Sequence, residues 1–409
     1  MDLEQVRSLI EVAEHPALAE ATEWFVQGRS GLEIRARLEQ TFETSTCLAV
    51  MDCVSCRLRY ANKFWQPERW LLSREPAEQA TDSRIARWRA EALGQLGLTE
   101  LTELGCGLGG DTVFLSEHFR VKALERSPAR SELARYNLSQ LGSGDAVVES
   151  RSVDCSSLRG ELLFVDPARR DGVRISNPGE WQPPLADVAS SFGEGRFRAV
   201  AVKCAPGLKE ADLPDQPATI AFVSVEGQLK EAFLLLQGDL ERKRLAVLFE
   251  KGSAQPLTLT GRGEAIDVGV PQIGSYLHNP DPAILRAGAL DSLAERLKAS
   301  IVHPKIGYLT SDGPCDDGCA NSFLIADRFP LNWKILKRKL LQTGWTEYEY
   351  LGRGVPFSQP DVRKKLGRLK RPKDRASVRG SVIMYRTDTD YTVVLGTRVP
   401  GDSPHLRGK

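Results

Sequence analysis

The chain has 409 residues, 41% hydrophobic and 27% charged, which is long enough for two or three domains with a sizeable core. It has no run of apolar residues long enough to span a bilayer, and its N-terminus opens on acids instead of an apolar signal core, so membrane insertion and secretion are set aside and a cytoplasmic location is expected. The formal net charge is only +1, yet residues 331–409 hold 18 Lys and Arg against 7 Asp and Glu, a balance of +11, and the rest of the chain holds 37 against 47. A basic C-terminal module on an acidic body points to one region that meets a polyanion.

The first hundred residues read as helical: Val6, Leu9, Ile10 and Ala13 keep a helical period, as do Leu32, Ile34, Leu38 and Phe42. Thr81 is expected to cap a helix carrying Ile85, Trp88, Ala92 and Leu93 on one face, with Pro76 in the turn before it. Arg84, Arg87 and Arg89 on that helix form a basic cluster, read as a solvated face or, with Gln79 and Thr81, as the closure of a pocket. From Leu98 to about Glu250, strands are expected at 101–104, 121–124, 146–152, 162–166, 198–203, 219–225, 232–236 and 245–249. Their alternation with helical segments predicts a mostly parallel sheet covered by helices on both faces. The last three strands follow one another too closely for helices, which predicts an antiparallel edge.

Within this region, Glu103 to Asp111 read ELGCGLGGD between a short apolar run and the start of a helical pattern. Glycines at 105, 107, 109 and 110 leave a turn without side chains, so backbone N–H groups and a helix N-terminus can close on a ligand. The next apolar run ends in Glu125, placed to accept hydrogen bonds from both hydroxyls of a ribose. Asp154 follows the third strand, where it can meet an adenine amino group. The spacing of Gly105, Gly107 and Gly110 also satisfies the GxGxxG dinucleotide fingerprint, so a nicotinamide cofactor stays open. Glu103 two residues before the first glycine, the long sequence before the unit, and Asp154 favour another nucleoside cofactor. The arrangement resembles class I S-adenosylmethionine-dependent methyltransferases, which implies S-adenosyl-L-methionine bound through Glu103, Gly105, Gly107, Gly109, Asp111, Glu125 and Asp154.

The fourth strand ends in Val165-Asp166-Pro167-Ala168-Arg169-Arg170, at the position that opens on the ligand crevice of a doubly wound sheet. Asp166 and Pro167 match the Asn/Asp-Pro-Pro-aromatic motif of many amino-methylating enzymes, and are the candidate catalytic residues. Ala168 and Arg169 replace the second proline and the aromatic. Arg169 and Arg170 suit a bidentate clamp on a substrate phosphate, with surface salt bridges as the alternative, and Lys203 after the next strand points to the same rim.

Residues 251–330, rich in Gly and Pro, read as a loop-rich or short-strand linker followed by a helix around Ala283 to Ala299. Beyond Leu331 a helix with Trp333, Leu336 and Leu340, a strand near 345–351, a basic helix over about 360–370 and strands at Ser381–Arg386 and Tyr391–Thr397 form a small α+β domain. Arg363, Lys364, Lys365, Arg368, Lys370, Arg371, Lys373 and Arg375 crowd thirteen positions, a run suited to phosphates. The eight cysteines show no disulfide framework. Cys53 with Cys56, and Cys315 with Cys319, have the spacing of zinc pairs, but about 260 residues separate them, and ordinary thiols are the stronger reading. His118, His278, His303 and His405 share no motif, and no catalytic metal site is expected.

ELGCGLGGD at 103–111, VDPARR at 165–170 and KCAPG at 203–207, together with EQAT at 78–81, SVEGQLKEA at 224–232 and YLHNPDPAILRAG at 276–288, are similar to bacterial class I methyltransferases with a C-terminal THUMP-like domain. The resemblance covers most of the chain from about Lys63 onward. It implies an α/β Rossmann-like, seven-stranded sheet with a helical N-terminal region, and RNA, such as tRNA or rRNA, as the partner. The expected domains are 1–97 (helical), 98–250 (methyltransferase), 251–330 (linker and helical subdomain) and 331–409 (basic, THUMP-like), with Arg363, Lys364 and Lys365 among the RNA-binding residues. A non-catalytic RNA-binding protein that keeps the cofactor fold is the alternative.

Overall fold

The computed structural model describes residues 2–13, 16–167, 178–238, 242–262, 273–315, 318–367 and 378–399. They form two compact units, Met1–Ile220 with Glu231–Arg242, and Ala221–Lys230 with Lys243–Lys409. Among the described residues, no helix is long and apolar enough to cross a membrane.

The first unit opens with the helices α1 (Leu3–Ala13), α2 (Pro16–Val26), α3 (Gly31–Leu38) and α4 (Thr44–Arg59). Val6, Leu9 and Val12 make the buried stripe of α1, which packs on α4. Ser30 and Glu33 form a reciprocal capping box at the start of α3. Then come α5 (Arg74–Gln79) and α6 (Ser83–Gly94). Asp82 caps α6, its carboxylate accepting from the Arg84 N–H at 3.0 Å. The cap expected from Thr81 is thus displaced by one residue, and Pro76 lies inside α5, not in a turn. An aspartate takes the role because its carboxylate accepts the bond from N2 as well as a hydroxyl would, leaving Thr81 free to turn inward.

The sheet of this unit begins with β1 (Glu100–Leu104), α7 (Thr112–Leu115), β2 (Arg120–Glu125), α8 (Pro128–Gln140), β3 (Val147–Ser150), β4 (Gly160–Val165), α9 (Leu185–Gly193) and β5 (Phe197–Cys204). These five strands are parallel, in the order β3-β2-β1-β4-β5. After β6 (Ala218–Val225), β7 (Gln228–Gln237) runs antiparallel beside β5, as the close spacing of the late strands predicted. Leu162 to Val165 and Ala199 to Val202 are buried without alternation, the pattern of parallel strands covered on both faces. Among the described residues the sheet has nine strands, not the seven expected, because the chain continues to add strands after β7. The strand order reverses between β1 and β4, so the connections that leave their carboxyl ends run to opposite faces of the sheet and leave a crevice between them.

In the second unit, β8 (Lys243–Phe249) pairs antiparallel with β9 (Leu257–Gly261). There follow β10 (Tyr276–Pro280), α10 (Pro282–Ala287), α11 (Leu290–Leu297), β11 (Ser300–Ile301), β12 (Leu309–Ser311), β13 (Ala320–Pro330), α12 (Trp333–Gln342), β14 (Glu347–Arg353), α13 (Gln359–Leu366), β15 (Arg379–Arg386) and β16 (Tyr391–Arg398). β11-β12-β10-β13-β16-β15-β14 is the order of a second, seven-stranded sheet. Two expectations are corrected here. Residues 251–330 are not a linker: they supply β9 to β13. The boundary at 331 also fails, because β13 pairs with β16 from Phe323 to Pro330, so strands from both sides of it share one sheet. The helix expected over Ala283–Ala299 is two helices, broken where Gly288 adopts φ +67°. Leu336 and Leu340 of α12 and Val362 and Leu366 of α13 form a core with Val382, Met384, Val393 and Leu395 of the sheet.

Candidate active site

The site is built where β1 ends. Gly105 holds φ +86°, and a Cβ there would lie 2.6 Å from the carbonyl oxygen of Asp166, so only glycine lets the tips of β1 and β4 approach this closely. Gly107 holds φ +60° and a Cβ on it would meet nothing within 4 Å, so it faces open space. That space is a cavity of about 710 Å³, within the range of small-molecule sites. Its walls are the turn Gly105–Leu108, Gly110 and Asp111, with Pro76, Gln79 and Thr81 from the helical segment, and Glu125, Asp154, Asp166, Pro167 and Lys203 from the strand ends.

Glu125 closes the tip of β2 against the turn. Its Oε2 accepts from the Gly107 N–H at 3.0 Å and its Oε1 from the Ser127 N–H at 2.9 Å. Each carboxylate oxygen keeps a further lone pair for a ligand hydroxyl. Asp154 caps the short turn Cys155–Ser157, accepting from the Ser156 hydroxyl at 2.6 Å and its N–H at 2.9 Å. These two bonds hold its carboxyl below the usual value and keep it anionic.

A chain of polar groups runs from the cavity into the core. Lys203 Nζ donates to Asp166 Oδ2 at 2.8 Å and to Thr81 Oγ1 at 2.9 Å. Thr81 Oγ1 donates to Asp111 Oδ2 at 2.6 Å. Arg89, fully buried, bridges Asp111 and Glu231. Burial alone would lower the Lys203 pKa, but Asp166, Asp111 and Glu231 together raise it, so the ammonium stays charged. Glu103 sits deeper, accepting from the Thr112 hydroxyl at 2.7 Å. Burial, reinforced by Asp111, pushes its pKa up to about 8, so it is largely protonated at neutral pH.

No protein-family model matches the chain. Two proteins of Mycobacterium tuberculosis, from strains CDC 1551 / Oshkosh and ATCC 25618 / H37Rv, each named as an uncharacterized S-adenosylmethionine-dependent methyltransferase, are 29% identical to it over 304 residues, 73% of this chain and 81% of theirs. The crystal structure of a "putative methyltransferase from Porphyromonas gingivalis W83" matches it with a TM-score of 0.71 at 18% identity, covering 98% of this chain and all of that one. The chain has a methyltransferase fold. The α/β architecture and parallel sheet expected from the sequence are those of this fold.

The structure brings Gly105, Gly107, Asp111, Glu125, Asp154, Asp166, Pro167 and Lys203 to one cavity. Glu103 and Gly109 stand behind its wall: Glu103 bonds Thr112, and Gly109 packs toward Leu138 and Ala134 of α8. Lys203, expected to point to the rim and meet phosphate or solvent, lines the cavity and donates to Asp166 and Thr81. Arg169 and Arg170 lie outside the described residues, as do Arg368, Lys370, Arg371, Lys373 and Arg375 of the basic run. Arg363, Lys364 and Lys365 are exposed on α13 of the second unit, with Lys365 Nζ 5.0 Å from the Trp333 ring centroid. Cys53 and Cys56 lie on α4 in the first unit and Cys315 and Cys319 in the second, all four buried.

Sequence reasoning missed Glu231, and it gave Arg89 to a solvated face or a pocket closure where the structure buries it between Asp111 and Glu231. A signal was present, since Arg89 shares its helix face with Ile85, Ala86, Ala90 and Leu93, all buried, where a solvated arginine has no place.

Proposed function

We propose that the chain is an S-adenosylmethionine-dependent methyltransferase and that its substrate is RNA. The observation that carries the cofactor reading is the pair of carboxylates at successive strand ends, Glu125 and Asp154, on the wall of a cavity floored by side-chain-free backbone at Gly105 and Gly107. In this reading the turn holds the methionine end, Glu125 the two ribose hydroxyls and Asp154 the adenine amino group. Bound there, the cofactor supplies a methyl group on a sulfonium sulfur. The chain's own contribution is to hold two reactants in line: Gly105 keeps the β1 and β4 tips in contact, and Asp166 beside Pro167 faces the cavity where a nucleophile enters.

Support for RNA comes from charge. Residues 331–409 carry a balance of +11, and on α13 Arg363, Lys364 and Lys365 are exposed while Val362 and Leu366 anchor the helix. Such a face meets phosphates without reading bases. This region takes the THUMP-like role that the sequence resemblance implied.

Titration calorimetry with S-adenosylmethionine and its demethylated product tests the cofactor, and saturable binding of both is expected. No heat with either removes the enzyme reading, and binding of NADH in their place favours a nicotinamide-dependent oxidoreductase. Filter binding of tRNA across a salt series tests the partner, with affinity expected to fall steeply as salt rises.

A further inference from the structure

Lys203 has three N–H donors, and two are committed, to Asp166 Oδ2 at 2.8 Å and to Thr81 Oγ1 at 2.9 Å. Among the described residues no third acceptor is present, and the side chain lines the cavity at the end of β5, beside Asp166 at the end of β4. An ammonium ion therefore faces the place where the nucleophile must enter.

Its charge discriminates between nucleophiles. An amine that takes up a methyl group grows positive in the transition state, and a lysine ammonium a few ångströms away opposes that change. It also occupies Asp166 Oδ2, half of the carboxylate that would orient the amine. A hydroxyl behaves in the opposite way: as it loses its proton the oxygen grows negative, and a fixed ammonium donor stabilises it. A second observation agrees. Enzymes that work on a base hold it by stacking against aromatic or apolar side chains. Here, among the described residues, the apolar side chains that line the cavity are Leu, Val, Ala and Pro with no aromatic ring among them, and the motif Asp166-Pro167-Ala168-Arg169 has none either.

We infer that the nucleophile is a hydroxyl, the ribose 2′-hydroxyl of RNA, and that Lys203 donates to its oxygen during transfer while Asp166 accepts its proton. Every RNA nucleotide presents this group, and it can be reached without stacking a base. In the step, the O–H bond breaks and its proton passes to the free Oδ1 of Asp166 and then to water. The oxygen's electron pair forms the new O–CH₃ bond, and the pair of the S–CH₃ bond remains on sulfur, leaving a neutral thioether. Lys203 keeps its proton throughout. The inference rests on the RNA methyltransferase reading above.

The test is alkaline hydrolysis of tRNA and rRNA transcripts after incubation with the full-length protein and methyl-labelled S-adenosylmethionine. A 2′-O-methyl group removes the hydroxyl that alkali needs, so label is expected in alkali-stable dinucleotides. Label in mononucleotides overturns the inference but leaves RNA methylation standing. No label in RNA, with cofactor binding intact, overturns both. Lys203→Met is expected to lower transfer by about 100-fold or more while the cofactor affinity changes little. Because that variant leaves Asp166 with one partner fewer, Lys203→Arg serves as a second readout: it retains a donor and the pairing, and should recover part of the rate. Full activity in Lys203→Met sinks the role assigned to the ammonium.

Discussion

Arg89 on α6 reaches Glu231 on β7 across 142 positions of sequence, inside the core of the first unit. The same guanidinium holds Asp111, the last residue of the glycine turn, and its ring contacts are with Phe164 and Phe233. The turn that would bind the cofactor is thereby tied to β7 through one buried cation.

Removing that cation should be costly. Arg89→Met leaves Asp111 and Glu231 buried without their partner, and breaking a buried pair in this way costs about 3–5 kcal/mol. Denaturant unfolding of the variant should show the loss as a lower midpoint with an unchanged slope. A double change, Arg89→Met with Glu231→Gln, should recover part of it, and a double variant no better than the single would refute the pairing as the cause.

Glu103 predicts how stability follows pH. Its pKa rises from 4.5 to about 8 in the folded protein. The folded state therefore holds a proton that the unfolded chain releases, so this contribution is complete below about pH 4.5 and is lost as pH climbs through about 8. Thermal midpoints should fall between pH 5 and 8 in the parent protein and fall less in Glu103→Gln. Parallel curves for the two proteins would contradict the assignment.

Glu125→Ala removes the acceptor for the Gly107 and Ser127 N–H groups and for the proposed ribose hydroxyls. Calorimetry should show S-adenosylmethionine binding weakened by about 1–3 kcal/mol. The smaller loss is expected for Asp154→Asn, whose amide still offers one oxygen. Equal affinity in Glu125→Ala and parent would speak against the ribose contact.

Gly105→Ala places a methyl group 2.6 Å from the Asp166 carbonyl oxygen at a left-handed backbone position. The strain, about 1–3 kcal/mol, should separate the β1 and β4 tips. Cofactor affinity and transfer should both drop, while Gly107→Ala, strained but facing open space, should lose affinity with less effect on folding. Native binding in Gly105→Ala would show that the close approach is not required.

On α13, Arg363→Glu, Lys364→Glu and Lys365→Glu together should weaken tRNA binding and flatten its dependence on salt, with no change in S-adenosylmethionine affinity. Buried Val362 and Leu366 are untouched, so the helix should persist in circular dichroism. An unaltered salt slope would place the RNA surface elsewhere.

The strands of the first sheet up to β8 are legible in the sequence, and so is the cluster at Gly105, Glu125, Asp154 and Asp166. Apolar runs, their spacing and a glycine turn are local properties, and a parallel sheet gathers the carboxyl ends of its strands whatever the details of packing. Legibility failed where contacts are long-range. Residues 251–330 look like a linker because their strands are short and broken by glycine, and only pairing with β16 and β12 makes them a sheet. Thr81, Lys203, Arg89 and Glu231 are ordinary polar residues in sequence. Burial is what turns them into one network, since a charge withdrawn from water must find its partner wherever the fold has placed it. The sequence by itself therefore determined the kind of sheet and the tips that line its crevice; the tertiary structure decided which charges meet there, and so whether Lys203 reaches outward for phosphate or inward toward Asp166.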